Sequence, residues 1–287
     1  MAVILDGKLV SQRARERLRR EVEELRAQGV VPGLAVVLVG EDVGSQVYVR
    51  NKSRACDELG IRAFQYSLPA DTTQEELLEL LGRLNADPEV HGILVQSPLP
   101  EQIDEAYITN CVAPEKDVDA FHPFNVGRIM LGDYAFLPCT PAGIMEILAH
   151  YGIDPAGKHC VVVGRSHIVG RPMSMLLLHA NATVTVCHSH TRELAGHTRR
   201  ADILVAAVGK ERFITADMVK PGAVVIDVGM NRDSEGRLCG DVDFAGVEPL
   251  ASHITPVPGG VGPMTITELM QNTVTAARLA ARRQNAE

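Results

Sequence analysis

The sequence lacks the patterns that mark several large classes of protein. Its six cysteines are scattered and include no C-x-x-C pair, so we expect neither a zinc site nor a disulfide framework. Reduced core thiols are expected instead, because Cys160 and Cys187 border apolar runs of strand length. No apolar stretch is long enough to span a bilayer, and Asp6 follows Met1 too closely for a secretory signal. These absences favour a cytoplasmic protein without a membrane partner.

Basic runs are also missing, and with them any sign of a nucleic-acid partner. The formal net charge is −8 at pH 7, and basic residues do not alternate with aromatic ones. An anionic substrate would therefore need a local Arg or Lys. A hydrophobic content of 46% with 22% charged residues excludes a disordered chain. At 287 residues the chain exceeds the usual size of a single core, so two domains are expected.

Apolar runs of strand length alternate with amphipathic stretches of helical length, which predicts an α/β fold of parallel βαβ units. The predicted strands are Leu34–Val39, Ile61–Leu68, Val90–Gln96, His159–Val163, Thr183–Cys187, Ile203–Val208 and Ala223–Val228. The predicted helices are Lys8–Gln28, Ser45–Leu59, one opened by Thr73 with capping-box spacing, one begun by Thr140 as N-cap, Met173–His179 and Met264–Leu279.

Two domains are predicted from the positions of these elements. Residues 1–138 form an α/β domain without a glycine-rich nucleotide fingerprint, and residues 139–269 form a Rossmann-type domain with a parallel sheet. Residues 270–287 are expected to form a C-terminal helix that returns to the first domain. In such a sheet ligands bind outside the carboxyl ends of the strands, so the loops there should line one crevice: Gly164–Gly170, His188–Thr191, Gly209–Lys210 and Gly229–Asn231.

The first of these loops has the form of a nucleotide site. Gly164–Pro172 follows an apolar strand and precedes a helical run, so its glycines can deliver phosphates to a helix N-terminus. Ser166 stands where G-x-G-x-x-G has its second glycine, which weakens the fingerprint. The strand–turn–helix context is the test that the fingerprint has to pass, and this context supports it.

The residues after the second strand of this domain favour NADP over NAD. An NAD site usually places Asp or Glu there, whereas His188–Arg192 contains no carboxylate and Arg165 directly follows the first glycine. A guanidinium and small hydroxyls suit a ribose 2′-phosphate, which a carboxylate would repel. His188 and His190 are equally consistent with a solvated strand end. Without a carboxylate or cysteine partner they do not form a metal site, and none is predicted.

A second group of residues suggests proton transfer. Tyr48 and Lys52 are four residues apart and therefore share one helix face, where a phenol beside an amine can handle protons. An ordinary surface helix fits the same pattern. Gln96 ends a predicted strand and could hydrogen-bond Lys52 or a substrate oxygen, or be a simple loop amide. Asp119 could accept hydrogen bonds from an amino-substituted heterocycle, or merely stabilise a turn.

The segment Pro258–Thr265 combines adjacent glycines with flanking prolines. Glycines accept positive φ and have no side chain, so a flat ligand could lie against the backbone of Gly259 and Gly260. Pro263 suits the first turn of the helix that follows. We expect a ligand-facing loop, because no ordinary packing need explains these glycines. A tight surface turn is the alternative.

Taken in order, these motifs resemble the bifunctional methylenetetrahydrofolate dehydrogenase/methenyltetrahydrofolate cyclohydrolase family. The resemblance covers essentially the whole chain, and one departure is visible: Ala120 follows Asp119 where the family usually has glycine. The matching segments are Tyr48-x-x-x-Lys52, Val95–Pro100, Lys116–Asp119, Pro138–Pro141, Gly164–Pro172 and Pro258–Thr265.

The resemblance implies NADP-dependent oxidation of methylenetetrahydrofolate and hydrolysis of the methenyl product to formyltetrahydrofolate. It implies a homodimer, with folate held between an N-terminal catalytic domain and an NADP-binding domain. Lys52 would be the key catalytic group, held by Gln96, while Tyr48 orients the folate and Asp119 binds the pterin. Leu99, Pro258, Gly259 and Gly260 would also contact substrate, and the NADP contacts would be Gly164, Arg165, Ser166, Ser189 and Met230.

Other functions stay open at this point. A shikimate-dehydrogenase-like enzyme shares the plan of a substrate domain with a catalytic lysine, but it gives no reason for the Pro258–Thr265 segment. Short-chain dehydrogenases also pair Y-x-x-x-K with a Rossmann fold, yet there the glycine motif precedes the tyrosine. A non-catalytic NADP-binding sensor is favoured only if Lys52 and Gln96 lie apart.

Overall fold

The computed structural model describes residues 1–284, which divide into two compact units. The six-stranded unit contains Met1–Gln12 and Pro138–Thr265. The three-stranded unit contains Arg13–Leu137 and the described part of Ile266–Glu287. These two sheets are parallel throughout, and the only antiparallel pairing in the described residues joins Asn231–Arg232 to Leu238–Cys239. The predicted α/β fold class is confirmed.

Helices and strands alternate along most of the chain. The helices are α1 Gly7–Ala27, α2 Val43–Leu59, α3 Gln74–Ala86, α4 Glu105–Cys111, α5 Pro123–Leu131, α6 Cys139–His150, α7 Gly170–His179, α8 Leu194–Thr198, α9 Phe244–Val247 and α10 Gly262–Gln284, with a 3-10 turn at Ala216–Met218. The strands are β1 Val3–Ile4, β2 Gly33–Val39, β3 Arg62–Leu68, β4 Gly92–Val95, β5 His159–Val163, β6 Thr183–Cys187, β7 Ile203–Ala206, β8 Val224–Asp227, β9 Asn231–Arg232, β10 Leu238–Cys239 and β11 His253–Ile254.

The three-stranded unit is built around β2. Its sheet has the order β3-β2-β4, and every residue of β2 is buried, as expected for a parallel strand covered on both faces. Leu77 and Leu81 of α3 pack with Val37 of β2 in one apolar core. The N-terminus of α3 carries the predicted capping box, in which Thr73 and Glu76 bond each other's backbone N–H groups.

The six-stranded unit has the order β1-β11-β8-β7-β5-β6. The chain runs from β5 to β6 on one side and then crosses to β7 on the other, so β5 and β7 flank a topological switch point. Ligands of doubly wound sheets bind at the carboxyl ends of the strands at this point. The strand β1, which pairs with β11, was not predicted, because two residues are too few to show a periodicity.

Most predicted elements agree with the structure except at their ends. The strands β5 and β6 have their predicted bounds, whereas the strand expected to run from Ile203 to Val208 ends at Ala206. The prediction that Thr140 is a helix N-cap is wrong: α6 begins at Cys139, and its N-cap, Pro138, makes no side-chain capping hydrogen bond. The Thr140 hydroxyl instead lies 3.3 Å from that of Thr265.

All six cysteines are free thiols, and Cys56, Cys139, Cys160 and Cys187 are buried. Burial raises the pKa of Cys56 and of Cys160 to about 12, so neither thiol is a nucleophile at neutral pH. Within residues 1–284, no helix has both the length and the apolar character that crossing a membrane requires. The same residues contain no group of His, Cys, Asp and Glu side chains that could hold a metal ion.

The C-terminal helix packs on the three-stranded unit, as predicted. The buried side chain of Asn272 in α10 donates 2.8 Å hydrogen bonds to the carbonyl oxygens of Val118 and Leu137. Arg278, two turns further on, pairs with Glu21 of α1. Residues 285–287 of the predicted segment lie outside the described residues.

We predict that Asn272→Ala lowers the free energy of unfolding by about 2 kcal/mol, because it leaves one buried and one partly buried carbonyl group without this donor. Urea unfolding followed by circular dichroism measures the loss. Asn110→Ala, at an exposed position of α4, is the matched control and should change the midpoint little. An unchanged midpoint for Asn272→Ala would show that the helix does not depend on these bonds.

Candidate active site and nucleotide site

Helix α2 presents Tyr48 and Lys52 on one face. The helix starts where the sequence provides a cap: the Asp42 carboxylate accepts a 2.7 Å hydrogen bond from the Ser45 N–H. The Tyr48 side chain is 40% exposed and Lys52 is half-buried one turn later. The pair therefore combines a phenol open to a ligand with an amine partly removed from water.

The Lys52 amine donates a 2.8 Å hydrogen bond to Oε1 of Gln96, one of the partners that the sequence offered for this amide. Gln96 follows β4 directly, and its backbone N–H donates to the carbonyl of Val37 in β2. The other end of its side-chain amide donates to the carbonyl of Ser97 at 2.7 Å. With both its backbone and its NH₂ group held, Gln96 presents its oxygen to Lys52.

This geometry suits proton handling. An amide oxygen accepts a hydrogen bond from lysine whether the amine is charged or neutral, so Gln96 can hold Lys52 in place while a proton is exchanged. The condition that would have favoured a non-catalytic sensor, separation of Lys52 from Gln96, is not met.

Asp119 lies in a loop fixed beside β4. Ile93 of β4 forms a parallel β-bridge with Asp117, in which the Ile93 N–H donates a 2.8 Å hydrogen bond to the carbonyl of Lys116. The Asp117 carboxylate is buried and accepts hydrogen bonds from the backbone N–H of His122 and from Asn125 Nδ2, both at 2.8 Å. Burial raises the pKa of Asp117. This loop places partly buried Asp119 in the same unit as Lys52, although its predicted contact with a pterin stays a prediction.

Ala120 has a left-handed backbone, with φ of 59°, and its side chain is fully buried. This conformation is strained for any residue with a Cβ, which gives a physical reason for glycine at the equivalent position of the family pattern. The methyl group that Ala120 adds to the family's usual glycine is buried in the protein, so it does not face a ligand directly.

The glycines after Pro258 have a packing role that the sequence did not reveal. A Cβ on Gly260 would lie 2.5 Å from the carbonyl oxygen of Pro256, and one on Gly7 would lie 1.7 Å from the oxygen of Gly260. Gly259 has φ of 106° and accepts a 3.0 Å hydrogen bond from the N–H of Gly7. The expectation that no ordinary packing need explains these glycines is therefore wrong. Contact of this loop with a ligand stays a prediction.

The turn after β5 is shaped by close backbone contacts at the switch point. A Cβ on Gly164 would lie 2.2 Å from the oxygen of Ala207, which follows β7, and one on Gly170 would lie 2.2 Å from the oxygen of Gly164. The Ser166 hydroxyl accepts hydrogen bonds from the N–H groups of Val169 and Gly170. Ser166 thus replaces the second glycine and also closes the turn in front of α7.

The predicted 2′-phosphate residues lie at neighbouring strand ends. Val163 and Cys187 are paired across β5 and β6, so Arg165 and Ser189 follow adjacent strands, and both are exposed. The pKa of His188 is lowered, mainly because its imidazole is partly desolvated and secondly because the positive charge of Arg165 is close. Met230, after β8 at the same edge of the sheet, is 55% exposed. Of the predicted NADP contacts, Arg165, Ser166, Ser189 and Met230 are thus exposed at one edge of a single unit, whereas Gly164 is buried.

Sequence reasoning missed the buried carboxylates Asp227 and Asp241, which accept hydrogen bonds from the loops at this edge. One signal was present for Asp227, a lone carboxylate that ends the apolar run of β8. Nothing local marked Asp241, because it becomes buried only when distant loops meet around it.

Comparison with known proteins identifies the family. Residues 5–119 match the tetrahydrofolate dehydrogenase/cyclohydrolase catalytic domain, and residues 138–281 match the NAD(P)-binding domain of the same family. The chain belongs to this family. The bifunctional protein FolD of Moorella thermoacetica is 60% identical over 277 residues, which cover 96% of this chain and 99% of that protein. The resemblance seen in the sequence is thereby confirmed.

Solved structures agree. The bifunctional FolD of Campylobacter jejuni superposes with a TM-score of 0.96 at 49% identity, covering 97% of this chain and 99% of that one. The Trypanosoma brucei FolD, described as complexed with NADP cofactor and inhibitor, has a TM-score of 0.93 at 41% identity and covers 98% and 99%. The shikimate 5-dehydrogenase of Thermus thermophilus reaches only 0.52 at 17% identity over 86% and 99%, a likeness of fold alone.

We predict that Ala120→Gly leaves the free energy of unfolding within about 1 kcal/mol of the parent. Relief of roughly 1–2 kcal/mol of backbone strain offsets the lost burial of a methyl group and the added freedom of the unfolded chain. Ala120→Val, which puts a branched side chain into the same buried turn, should cost more than about 2 kcal/mol. Chemical denaturation compares the variants, and equal stabilities for Val and Gly would contradict the strain.

Proposed function

We propose that this chain oxidises methylenetetrahydrofolate with NADP and hydrolyses the methenyl product to formyltetrahydrofolate, as an enzyme of one-carbon metabolism. The observation that carries the proposal is the hydrogen bond between Lys52 and Gln96 in a chain whose family model is a tetrahydrofolate dehydrogenase/cyclohydrolase. The test supplies purified protein with methylenetetrahydrofolate and NADP or NAD and follows absorbance. Formation of no reduced nicotinamide with either cofactor would reject the function.

The residues at the edge of the six-stranded sheet fit NADP. Gly164 and Gly170 keep the turn free of side chains where a Cβ could not be accommodated, and α7 starts directly behind it. Arg165 and Ser189 supply a cation and a hydroxyl at strand ends that lack a carboxylate, as a 2′-phosphate requires. NADP, when bound, accepts the hydride that leaves the folate methylene carbon.

The dehydrogenase step depends on position more than on proton transfer. The nitrogens on either side of the methylene carbon stabilise the cation that remains after hydride loss, so the chain mainly has to orient the folate. In our proposal Tyr48 and Leu99 contact the folate, and Asp119 accepts hydrogen bonds from the pterin amino group. Pro258, Gly259 and Gly260 supply further contacts through their backbone.

The hydrolysis step needs a group that moves protons. Water adds to the methenyl carbon and loses a proton, and the ring opens when a folate nitrogen leaves with one. In our proposal the Lys52 amine acts on the water or on the folate nitrogen. Gln96 holds the amine by the 2.8 Å bond that the structure contains, and Tyr48 lies one helical turn away.

Several finer points belong to the same proposal. We propose that residues 1–138, with 270–287, form the folate-binding catalytic domain and that residues 139–269 bind NADP. The family models, which span residues 5–119 and 138–281, support a division near residue 138. The assignment of residues 270–287 to the catalytic domain is supported instead by the packing of α10 on the three-stranded unit. We also propose that the protein is a cytoplasmic homodimer and that it supplies one-carbon units for the synthesis of purines and amino acids.

We predict that Lys52→Met lowers the rate of methenyltetrahydrofolate hydrolysis by a factor of about 100 or more, because methionine cannot exchange a proton. NADP affinity, measured by fluorescence titration, should change less than about twofold. Lys158→Met, at an exposed position before β5, is the matched control. Hydrolysis that survives Lys52→Met at the parental rate would reject the role of this amine.

We predict that Arg165→Gln raises the KM for NADP about tenfold while it leaves the KM for NAD nearly unchanged, because only NADP carries the 2′-phosphate. Steady-state dehydrogenase kinetics with each cofactor measure the ratio. Arg20→Gln, at an exposed position of α1, should alter neither constant. Parallel increases for both cofactors would show that Arg165 does not read the phosphate.

A further inference from the structure

The Asp241 carboxylate lies at the centre of a buried cluster of hydrogen bonds in the six-stranded unit. It is 0% exposed and accepts hydrogen bonds from backbone N–H groups of the loop after β7. The donors are Val208 at 2.6 Å and Gly209 at 3.0 Å to Oδ2, and Lys210 at 2.9 Å to Oδ1. The same Oδ1 accepts from Asn231 Nδ2 at 2.9 Å. One carboxylate therefore joins the loop after β7 to the loop after β8.

Asp227, the last residue of β8, holds Asp241 in turn. Its Oδ1 accepts 2.8 Å and 2.9 Å hydrogen bonds from the backbone N–H groups of Asp241 and Gly229. Its Oδ2 accepts from the N–H of Val242 at 3.0 Å. Burial raises the pKa of Asp227 to about 6, with a smaller contribution from Asp241.

The cluster is so tightly packed that the glycines beside both carboxylates could not carry a side chain. A Cβ on Gly229 would lie 2.5 Å from Oδ1 of Asp241, and one on Gly240 would lie 1.8 Å from Oδ2 of Asp227. Because each oxygen of Asp241 already accepts two hydrogen bonds, an amide in its place would point NH₂ at N–H groups. Asparagine could not reproduce the arrangement.

The loops that this cluster holds lie at the functional edge of the sheet. The loop 208–210 follows β7, which flanks the switch point with β5, and the loop 229–231 follows β8 and contains exposed Met230. Both therefore occupy the region in which doubly wound sheets bind their cofactors.

We propose that Asp241, held by Asp227, is a positioning residue for NADP: it fixes the loops 208–210 and 229–231 in the shape that the cofactor binds. The inference rests on the function proposed above and deepens it. It assigns no contact between Asp241 and the cofactor, because the carboxylate is fully buried. Its effect passes through the backbone of Gly209 and Lys210 and through the side chain of Asn231.

The enzyme's second reaction supplies the test, because hydrolysis of methenyltetrahydrofolate consumes no NADP. For Asp241→Asn we expect the dissociation constant for NADP, measured by titration without folate, to rise about tenfold or more. Hydrolysis without NADP should stay within about twofold of the parent. Asp243→Asn makes the same chemical change two residues away, where the side chain makes no capping hydrogen bond, and should leave both values unchanged.

Two results would overturn the inference: unchanged NADP affinity in folded Asp241→Asn, or an equal loss of hydrolysis and of NADP affinity, which indicates a general structural role. If Asp241→Asn does not fold, Asn231→Ala decides, since it removes one donor from the cluster and leaves the backbone bonds. We expect about a threefold weaker NADP affinity, and no weakening would reject the proposal. Failure of the parent protein to bind NADP would instead reject the function proposed above.

Discussion

The bond between Lys52 and Gln96 depends on two elements of one α/β unit that fix both backbones. Helix α2 carries the amine, and the backbone of Gln96 stays attached to β2 at the point where β4 ends. A lysine that no partner held would lose much of its rotational freedom at the moment it reached the substrate. The 2.8 Å bond to a pre-oriented amide reduces that loss and places the amine before substrate arrives.

Buried aspartates perform a similar task in both units. The Asp117 carboxylate accepts a hydrogen bond from a backbone N–H group of the loop that carries Asp119. The Asp241 carboxylate accepts hydrogen bonds from backbone N–H groups of the loop after β7. A buried carboxylate is costly unless its oxygens are satisfied, so backbone N–H groups are its natural partners and each bond fixes a loop. Loops at strand ends are the mobile part of an α/β fold, and these internal anchors give them one shape.

Much of the fold and of the candidate site could be predicted from the sequence, because the sequence signals for them are local. The run Val161–Val163 followed by Gly164 predicts a strand and a phosphate-binding turn, and the four-residue spacing of Tyr48 and Lys52 predicts a shared helix face. The packing of Gly7 against Gly260 could not be predicted, because these residues meet only through the fold. The same holds for Asp241, whose donors come from separate loops. The bond between Gln96 and Lys52 was one of the possibilities that the sequence offered, and the structure selects it.

The most direct test of the account is the pH dependence of methenyltetrahydrofolate hydrolysis in Gln96→Glu compared with the parent. A carboxylate in place of the amide stabilises the charged form of Lys52, so its pKa must rise. We expect the limb of the kcat/KM profile that reports this amine to move upward by about one pH unit or more. That direction holds whether Lys52 acts as a base or as an acid. A profile in which neither limb moves would contradict the claim that this amine carries the proton.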